Sequence, residues 1–375
     1  MKKGIVLVAS LAESVSNFRA PLVRRMVQHG LAVTAVAPDL DSSSRSAIAE
    51  LGARAELVRF ARTGMNPLKD LLGIVALYRF FRREKPRYIL AYTAKPVNYG
   101  LLAARFAGVP TRAVMITGLG YAFTEGGEGR RKIARMAARF LYGLSLPRAT
   151  SIIFQNPDDV ALFREQGLLS AASPVHLVNG SGVDCSQHAV SALPERPHFL
   201  MIARLLKDKG VREYAEAAAR LRAQVPGATT SLVGWIDESP NSITRNELDG
   251  WCAAGLNFLG RLSDVRPAIA QASVVVLPSY REGTPRSVLE GMAMGRAIIT
   301  TDAPGCRETV EPGVNGLLVP PRDAAALAQA MIALARDPAR VAAMGTQSRR
   351  IAKEKYDADA VALDTLRKAG ILPAP

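Results

Sequence analysis

Short apolar runs recur roughly every 25–35 residues along this chain, and segments of helical periodicity fill the intervals. That alternation packs as parallel strands covered on both faces by helices, a doubly wound α/β plan. Strands are expected at 5–9, 32–37, 55–60, 88–92, 113–116, 151–154 and 175–178. The polar stretch 180–197, with Pro194 and Pro197, reads as a linker. A second series follows at 198–203, 229–233, 256–259, 274–277, 297–301 and 317–319. Because 375 residues exceed one ordinary core, two Rossmann-like domains are expected, 1–190 and 191–356. Helices are expected over about 17–28, ended by Gly30, and over 324–335 and 341–355, with a terminal helix at 358–368.

The opening MKKGIVLVASLAES has the lysines and apolar run of a signal peptide. It reads better as a buried first strand, because the pattern after it needs a first βα unit. No run reaches the ~18–20 apolar residues of a membrane span. The three cysteines, Cys185, Cys252 and Cys306, are far apart and odd in number, which fits a reducing compartment. With four scattered histidines they give no metal-ligand spacing. Net charge is +15, and residues 1–190 hold 25 Lys+Arg against 13 Asp+Glu. A basic first half suggests an anionic partner.

The stretch 274–319, VVVLPSYREGTPRSVLEGMAMGRAIITTDAPGCRETVEPGVNGLLV, carries the chemistry. It reads as strand, loop, helix, strand, loop. Thr284 is expected as N-cap, Pro285 as the first helical residue, and Gly295 as the terminating glycine. A loop that leaves a parallel strand and feeds a helix N-terminus suits phosphorylated ligands. Two carboxylates, Glu282 and Glu290, bracket this turn. They would repel phosphate but accept hydrogen bonds from sugar hydroxyls. Phosphate and hydroxyl recognition together point to a nucleotide sugar.

In MIARLLKDKGV, Arg204 sits at a strand end, and Lys207 and Lys209 lead into a helix. Cations there would stabilise a departing diphosphate, each charge-assisted hydrogen bond being worth about 1.5–3 kcal/mol.

The stretch 281–319 resembles the nucleotide-sugar signature of family 4 retaining glycosyltransferases, with Glu282 and Glu290 as its Glu-x7-Glu element. The similarity is greatest to bacterial enzymes that extend polyprenyl-diphosphate-linked sugars, such as N-acetylgalactosaminyltransferases. It implies the GT-B arrangement, two Rossmann-like domains facing a cleft, with a C-terminal helix (357–372) packing back on the first. It implies that Arg204 and Lys209 hold the diphosphate, Glu282 faces the donor sugar and Glu290 holds the ribose. Gly283 and Thr284 would cover sugar or phosphate beside Pro285. Gly234 and the FLGR stretch ending at Arg261 would seat the base. Arg281, Arg286 and Arg307 add charge around this loop, and Glu308 is a candidate sugar contact. No cofactor and no metal are expected beyond the UDP-sugar co-substrate.

Two first-half loops, YTAKPVNYG and ITGLGYAFTEGG, look suited to an acceptor. Lys95 would meet its phosphate, with Tyr99, Thr117, Gly118 and Tyr121 as further contacts. Many family members have a histidine in this half; none lies between His29 and His176 here. The basic amphipathic stretch RRKIARMAARFLYGLSLP could lie on an anionic leaflet. The expectation is therefore a peripheral enzyme on the cytoplasmic face of the inner membrane, moving a hexosamine-type sugar from a UDP-sugar to a polyprenyl-diphosphate-linked saccharide. A GT-B nucleotide-sugar 2-epimerase would need acid/base groups in a half poor in histidine. A nucleic-acid-binding protein would need aromatic interleaving or a helix-turn-helix, and neither is present. Asp39 and Asp41 read as a turn rather than a metal pair.

Overall fold

The computed structural model describes residues 4–62, 64, 66–118, 130–237, 239 and 241–373. It divides into two compact units, Met1–Ser181 with Asp359–Pro375, and Gly182–Ala358. The division falls nearer the start of the 180–197 stretch than 190/191. The physical reason is that Val183 is tied to the second unit's last segment: its N–H donates to Tyr356 O, and Ala358 N–H donates back to Val183 O.

The first unit's strands are β1 (Gly4–Val8), β2 (Ala32–Ala37), β3 (Arg54–Leu57), β4 (Tyr88–Tyr92), β5 (Thr111–Ile116), β6 (Ser151–Phe154) and β7 (Val175–Leu177). They form one parallel sheet in the order β3-β2-β1-β4-β5-β6-β7. The helices are α1 (Glu13–Ser16), α2 (Ala20–Gln28), α3 (Ser42–Glu50), α4 (Pro67–Glu84), α5 (Ala94–Ala107), α6 (Arg130–Ser145) and α7 (Pro157–Glu165). One apolar cluster joins α4, α5, α6 and α7 to one side of the sheet. Another joins α1, α2 and α3 to the other. Runs such as Tyr88–Tyr92, buried at every position, are what a strand covered on both faces requires.

The second unit has β8 (His198–Ile202), β9 (Thr229–Val233), β10 (Asn257–Gly260), β11 (Val274–Leu277), β12 (Ala297–Thr301) and β13 (Gly316–Val319), ordered β10-β9-β8-β11-β12-β13. Its helices are α8 (Val211–Gln224), α9 (Arg245–Ala253), α10 (Arg266–Ala270), α11 (Arg286–Ala293), α12 (Ala324–Ala335) and α13 (Pro338–Lys355). The last helix, α14 (Ala358–Lys368), puts Ala362 and Leu366 into the first unit's cluster with Ile5 and Leu7.

Two local expectations change. The helix expected over 17–28 starts only at Ala20, as α2, because Pro21 belongs in a helix's first turn; the short α1 is a separate helix that precedes it, with Asn17–Arg19 between the two. The N-cap of α11 is Pro285, extended at φ −74°, ψ 112°, and no side chain caps it, so Thr284 stands one residue outside. The helix does end at Gly295: its N–H donates to Met292 O, and Arg296 N–H reaches Gly291 O. Asp41 caps α3 by accepting from Ser44 N–H at 2.7 Å, and Asp39 accepts from Ala12 N–H at 2.9 Å. Both carboxylates of that pair are thus engaged by the backbone.

Candidate active site

In the second sheet the strand order reverses between β8 and β11. The loops leaving these two strands diverge there, and open α/β sheets bind ligands at such a point. The loops are held together mainly by backbone. A Cβ added to Gly210 (φ +72°) would stand 2.1 Å from the Pro278 carbonyl oxygen. Tyr280 N–H donates to Asp208 O at 2.9 Å. At the end of β9, a Cβ on Gly234 would lie 1.9 Å from Ala203 O. Only glycine lets the backbones meet this closely.

Across the junction, Lys209 Nζ donates to Glu282 Oε1 at 2.5 Å, with side chains 18% and 15% exposed. Ser279 Oγ donates to the same carboxylate oxygen at 2.8 Å. Glu282 N–H is anchored on Pro304 O, in the turn after β12. The candidate diphosphate ligand and the candidate sugar ligand therefore touch. Below them Cys306 is buried, and its thiol is pushed up to about 12, first by burial and then by the Glu282 charge.

On α11, Arg286 Nε donates to Glu290 Oε1 at 2.7 Å. A cation in the first turn opposes the helix dipole, and this turn has no acidic residue. Arg286 is held there by Glu290, whose side chain is 12% exposed. Gly283 and Pro285 are buried between these pairs in the sequence, and Thr284 is half-buried.

The remaining candidates sit on the strand-end loops of this sheet. Arg204, after β8, pairs with Asp237 at 3.1 Å and is exposed; such a pair contributes little by itself. Gly234 N–H bonds to Gly260 O. Beyond them, Arg261 stacks its guanidinium 4.8 Å from the Trp235 ring centroid. Arg307 pairs with Asp302 at 2.6 Å. Glu308, in the turn after β12, offers its carbonyl to Tyr356 OH and Lys355 Nζ.

In the first unit the order reverses between β1 and β4. Ser10 Oγ and Thr93 Oγ1 share a hydrogen bond of 2.6 Å across that point. Thr93 has φ 69°, ψ 156°, a conformation that costs a β-branched residue about 1–3 kcal/mol. Beside it, Tyr92 OH bonds to Ser14 Oγ at 2.7 Å, and the Arg19 guanidinium lies 5.0 Å from the Tyr92 ring. Burial pushes the Tyr92 phenol up to about 12. Lys95 donates to Asp70 on α4 at 2.8 Å, with both side chains mostly covered. Tyr99 is a core residue, fully buried, with its phenol raised by burial and then by Asp70. It supports Lys95, 5.6 Å from its ring, and does not reach solvent. Thr117 and Gly118 follow β5; Tyr121 lies outside the described residues.

The motif reading missed Ser279, Asp237, Trp235, Ser10, Thr93 and Asp70. Ser279 and Trp235 had a signal, since each stands within two residues of a buried strand's end. Ser10 and Thr93 share that signal, after β1 and β4, whereas Asp70, inside α4, had none. Among the described residues, no helix is long and apolar enough to cross a membrane.

Two family profiles match the chain, "Glycosyl transferase 4-like domain" over residues 15–180 and "Glycosyl transferases group 1" over 196–337. The chain is 28% identical over 338 residues to the N,N'-diacetylbacillosaminyl-diphospho-undecaprenol alpha-1,3-N-acetylgalactosaminyltransferase of Campylobacter jejuni, covering 86% of this chain and 87% of that protein. It is 25% identical to the UDP-Gal:alpha-D-GlcNAc-diphosphoundecaprenol alpha-1,3-galactosyltransferase of Escherichia coli, with 72% of each covered. In fold it is similar to HepE of Anabaena, solved in complex with UDP-glucose, at a TM-score of 0.80, 18% identity and coverage of 98% and 100%. Sucrose-phosphate synthase from Thermosynechococcus elongatus gives a TM-score of 0.78 at 20% identity, with 97% of each chain covered. Two parallel-sheet units of this topology, matched in turn by the two halves of one enzyme family, place the chain among the group 1, family 4-like glycosyltransferases of the GT-B fold.

Proposed function

We propose that this enzyme moves an N-acetylhexosamine from a UDP-sugar to a hydroxyl of a polyprenyl-diphosphate-linked saccharide, with retention at the anomeric carbon, at the cytoplasmic face of a membrane. Relatives named for transfer to diphospho-undecaprenol sugars support the acceptor class. HepE in complex with UDP-glucose supports the donor class. The observation that carries the reading is the Lys209–Glu282 pair at the β8/β11 reversal.

A diphosphate that takes Lys209 as its donor leaves Glu282 to accept from a sugar hydroxyl, while Ser279 keeps that carboxylate in place. One ion pair is exchanged for contacts to both halves of a nucleotide sugar. As the glycosidic bond breaks, charge grows on the departing diphosphate. Lys209 and Arg204, already positioned, stabilise that charge more than the ground state. These cations take the part a metal would play, so transfer proceeds in the presence of a chelator. Glu290 accepts from the ribose hydroxyls, and Trp235 with Arg261 forms a platform for the base. In the first unit, Lys95 binds the acceptor's phosphate.

The test is a screen of UDP-, GDP- and ADP-sugars with a polyprenyl-diphosphate saccharide as acceptor, resolving the product's anomeric configuration. UDP-N-acetylhexosamine turnover to an α-linked product is expected. Transfer from every donor except UDP-sugars, or release of an epimerised nucleotide sugar without acceptor, would refute the reading.

A further inference from the structure

The face of the first unit built from α4, α5 and α6 carries large apolar side chains in solvent. On α4, Leu68, Leu71 and Leu72 are 67%, 56% and 60% exposed. They occupy one side of the helix's first turns, at i, i+3 and i+4. Gly73, Leu77, Phe80 and Phe81 occupy the buried side. On α6, Met136 and Phe140 are 63% and 70% exposed, in one stripe with exposed Lys132 and Arg139. Between them, α5 packs on both helices.

This face is also cationic. The sequences of α4, α5 and α6 contain eleven Lys or Arg and two acidic residues. Both acids are neutralised, Asp70 by Lys95 and Glu84 by Arg54. Clustered apolar side chains of this size mark an interaction surface rather than ordinary scatter. We propose that the α4–α6 face docks on an anionic lipid bilayer, with the α4 leucine turn entering the boundary between headgroups and acyl chains and the basic side chains meeting lipid phosphates.

Charge decides the occupant. A second copy of the chain would set one cationic face against another. A bilayer with anionic headgroups offers negative charge and an apolar interior side by side, which is the pattern of this face. Asp70 lies between Leu68 and Leu71 and grips Lys95. The leucine turn thus sits one ion pair away from the residue assigned to the acceptor's diphosphate, a group carried at headgroup level. That last link rests on the proposed function; the surface itself does not.

The full chain is sedimented with phosphatidylcholine vesicles, with and without phosphatidylglycerol, at low and high salt. Partition onto the anionic vesicles, weakened by salt, is expected. The triple variant Leu68→Gln/Leu71→Gln/Leu72→Gln should lower it about tenfold or more. Gln is a good helix former, so the thermal transition should stay near that of the parent. A triple variant that partitions like the parent, or a parent that ignores both vesicles, would overturn the proposal. So would a parental dimer that the triple variant dissolves, since the face would then be a protein interface. Transfer to a short-chain, water-soluble acceptor is read in parallel. Transfer without vesicle binding removes the surface and keeps the transferase; vesicle binding without transfer does the reverse.

Discussion

At the β8/β11 reversal the diverging loops meet through glycine, with backbone against backbone at Gly210 and Pro278. At the β1/β4 reversal they meet through two hydroxyls, Ser10 and Thr93, with Thr93 held at φ 69°. The first arrangement removes side chains so that backbones close and leave the side chains of neighbouring residues, Lys209 and Glu282, to meet across the junction. The second keeps a side chain and accepts backbone strain to aim it. Strain in a β-branched residue persists only where its surroundings hold it, and such residues gather at functional sites. The reversal in the second unit is therefore built by close approach, and that in the first unit by a tensioned hydroxyl.

Exchanging the two devices should have unequal effects. Gly210→Ala forces a Cβ to within 2.1 Å of Pro278 O at positive φ, and should cost about 3 kcal/mol or more, or prevent folding. Thr93→Gly relieves strain and loses one hydrogen bond, so its unfolding free energy should change by less than about 1 kcal/mol. Chemical denaturation reads both; equal losses would break the contrast.

Next in size is the ion pair. Lys209→Ala should lower kcat by about 10²–10³-fold while circular dichroism stays that of the folded chain. Unchanged kcat would move the diphosphate site elsewhere. Lys95→Ala sharpens the division of labour. The acceptor KM should rise about tenfold, one lost charge-assisted contact, while the donor KM holds. A rise in the donor KM instead would place Lys95 in the wrong half.

The smallest effect concerns His198, whose imidazole is pushed below its ordinary value by burial. The unfolded chain then binds the proton more readily than the folded one. His198 contributes stability above about pH 6.5 that is lost as pH falls from there through the folded value. His198→Gln should flatten that part of the stability profile, and an unaltered slope would show that other groups set it.

Strands were the legible part of the fold, because a doubly covered parallel strand needs an unbroken apolar run, and VVVL and YILAY supply one. The helix expected over 17–28 starts at Ala20 and not at Asn17, because Pro21 is accommodated only in a helix's first turn. The cap of α11 was placed one residue early because Thr-Pro satisfies the usual cap pattern, while Pro285 takes the extended conformation itself. Within the site, Glu282, Glu290 and Lys209 could be named from spacing. Their partners could not: Asp70 lies 25 residues from Lys95, and Lys209 lies 73 from Glu282.

The order of apolar runs, the glycines at loop junctions and the chemical types of the candidate site residues are properties of the chain itself, because each follows from local geometry or from what one side chain can bond. Which cation meets which carboxylate, that Tyr99 is a core support, and that Thr93 is strained toward Ser10 were decided only when the sheets formed. Parallel pairing brings distant strand ends to one edge, and no local rule of sequence encodes which loops then face each other.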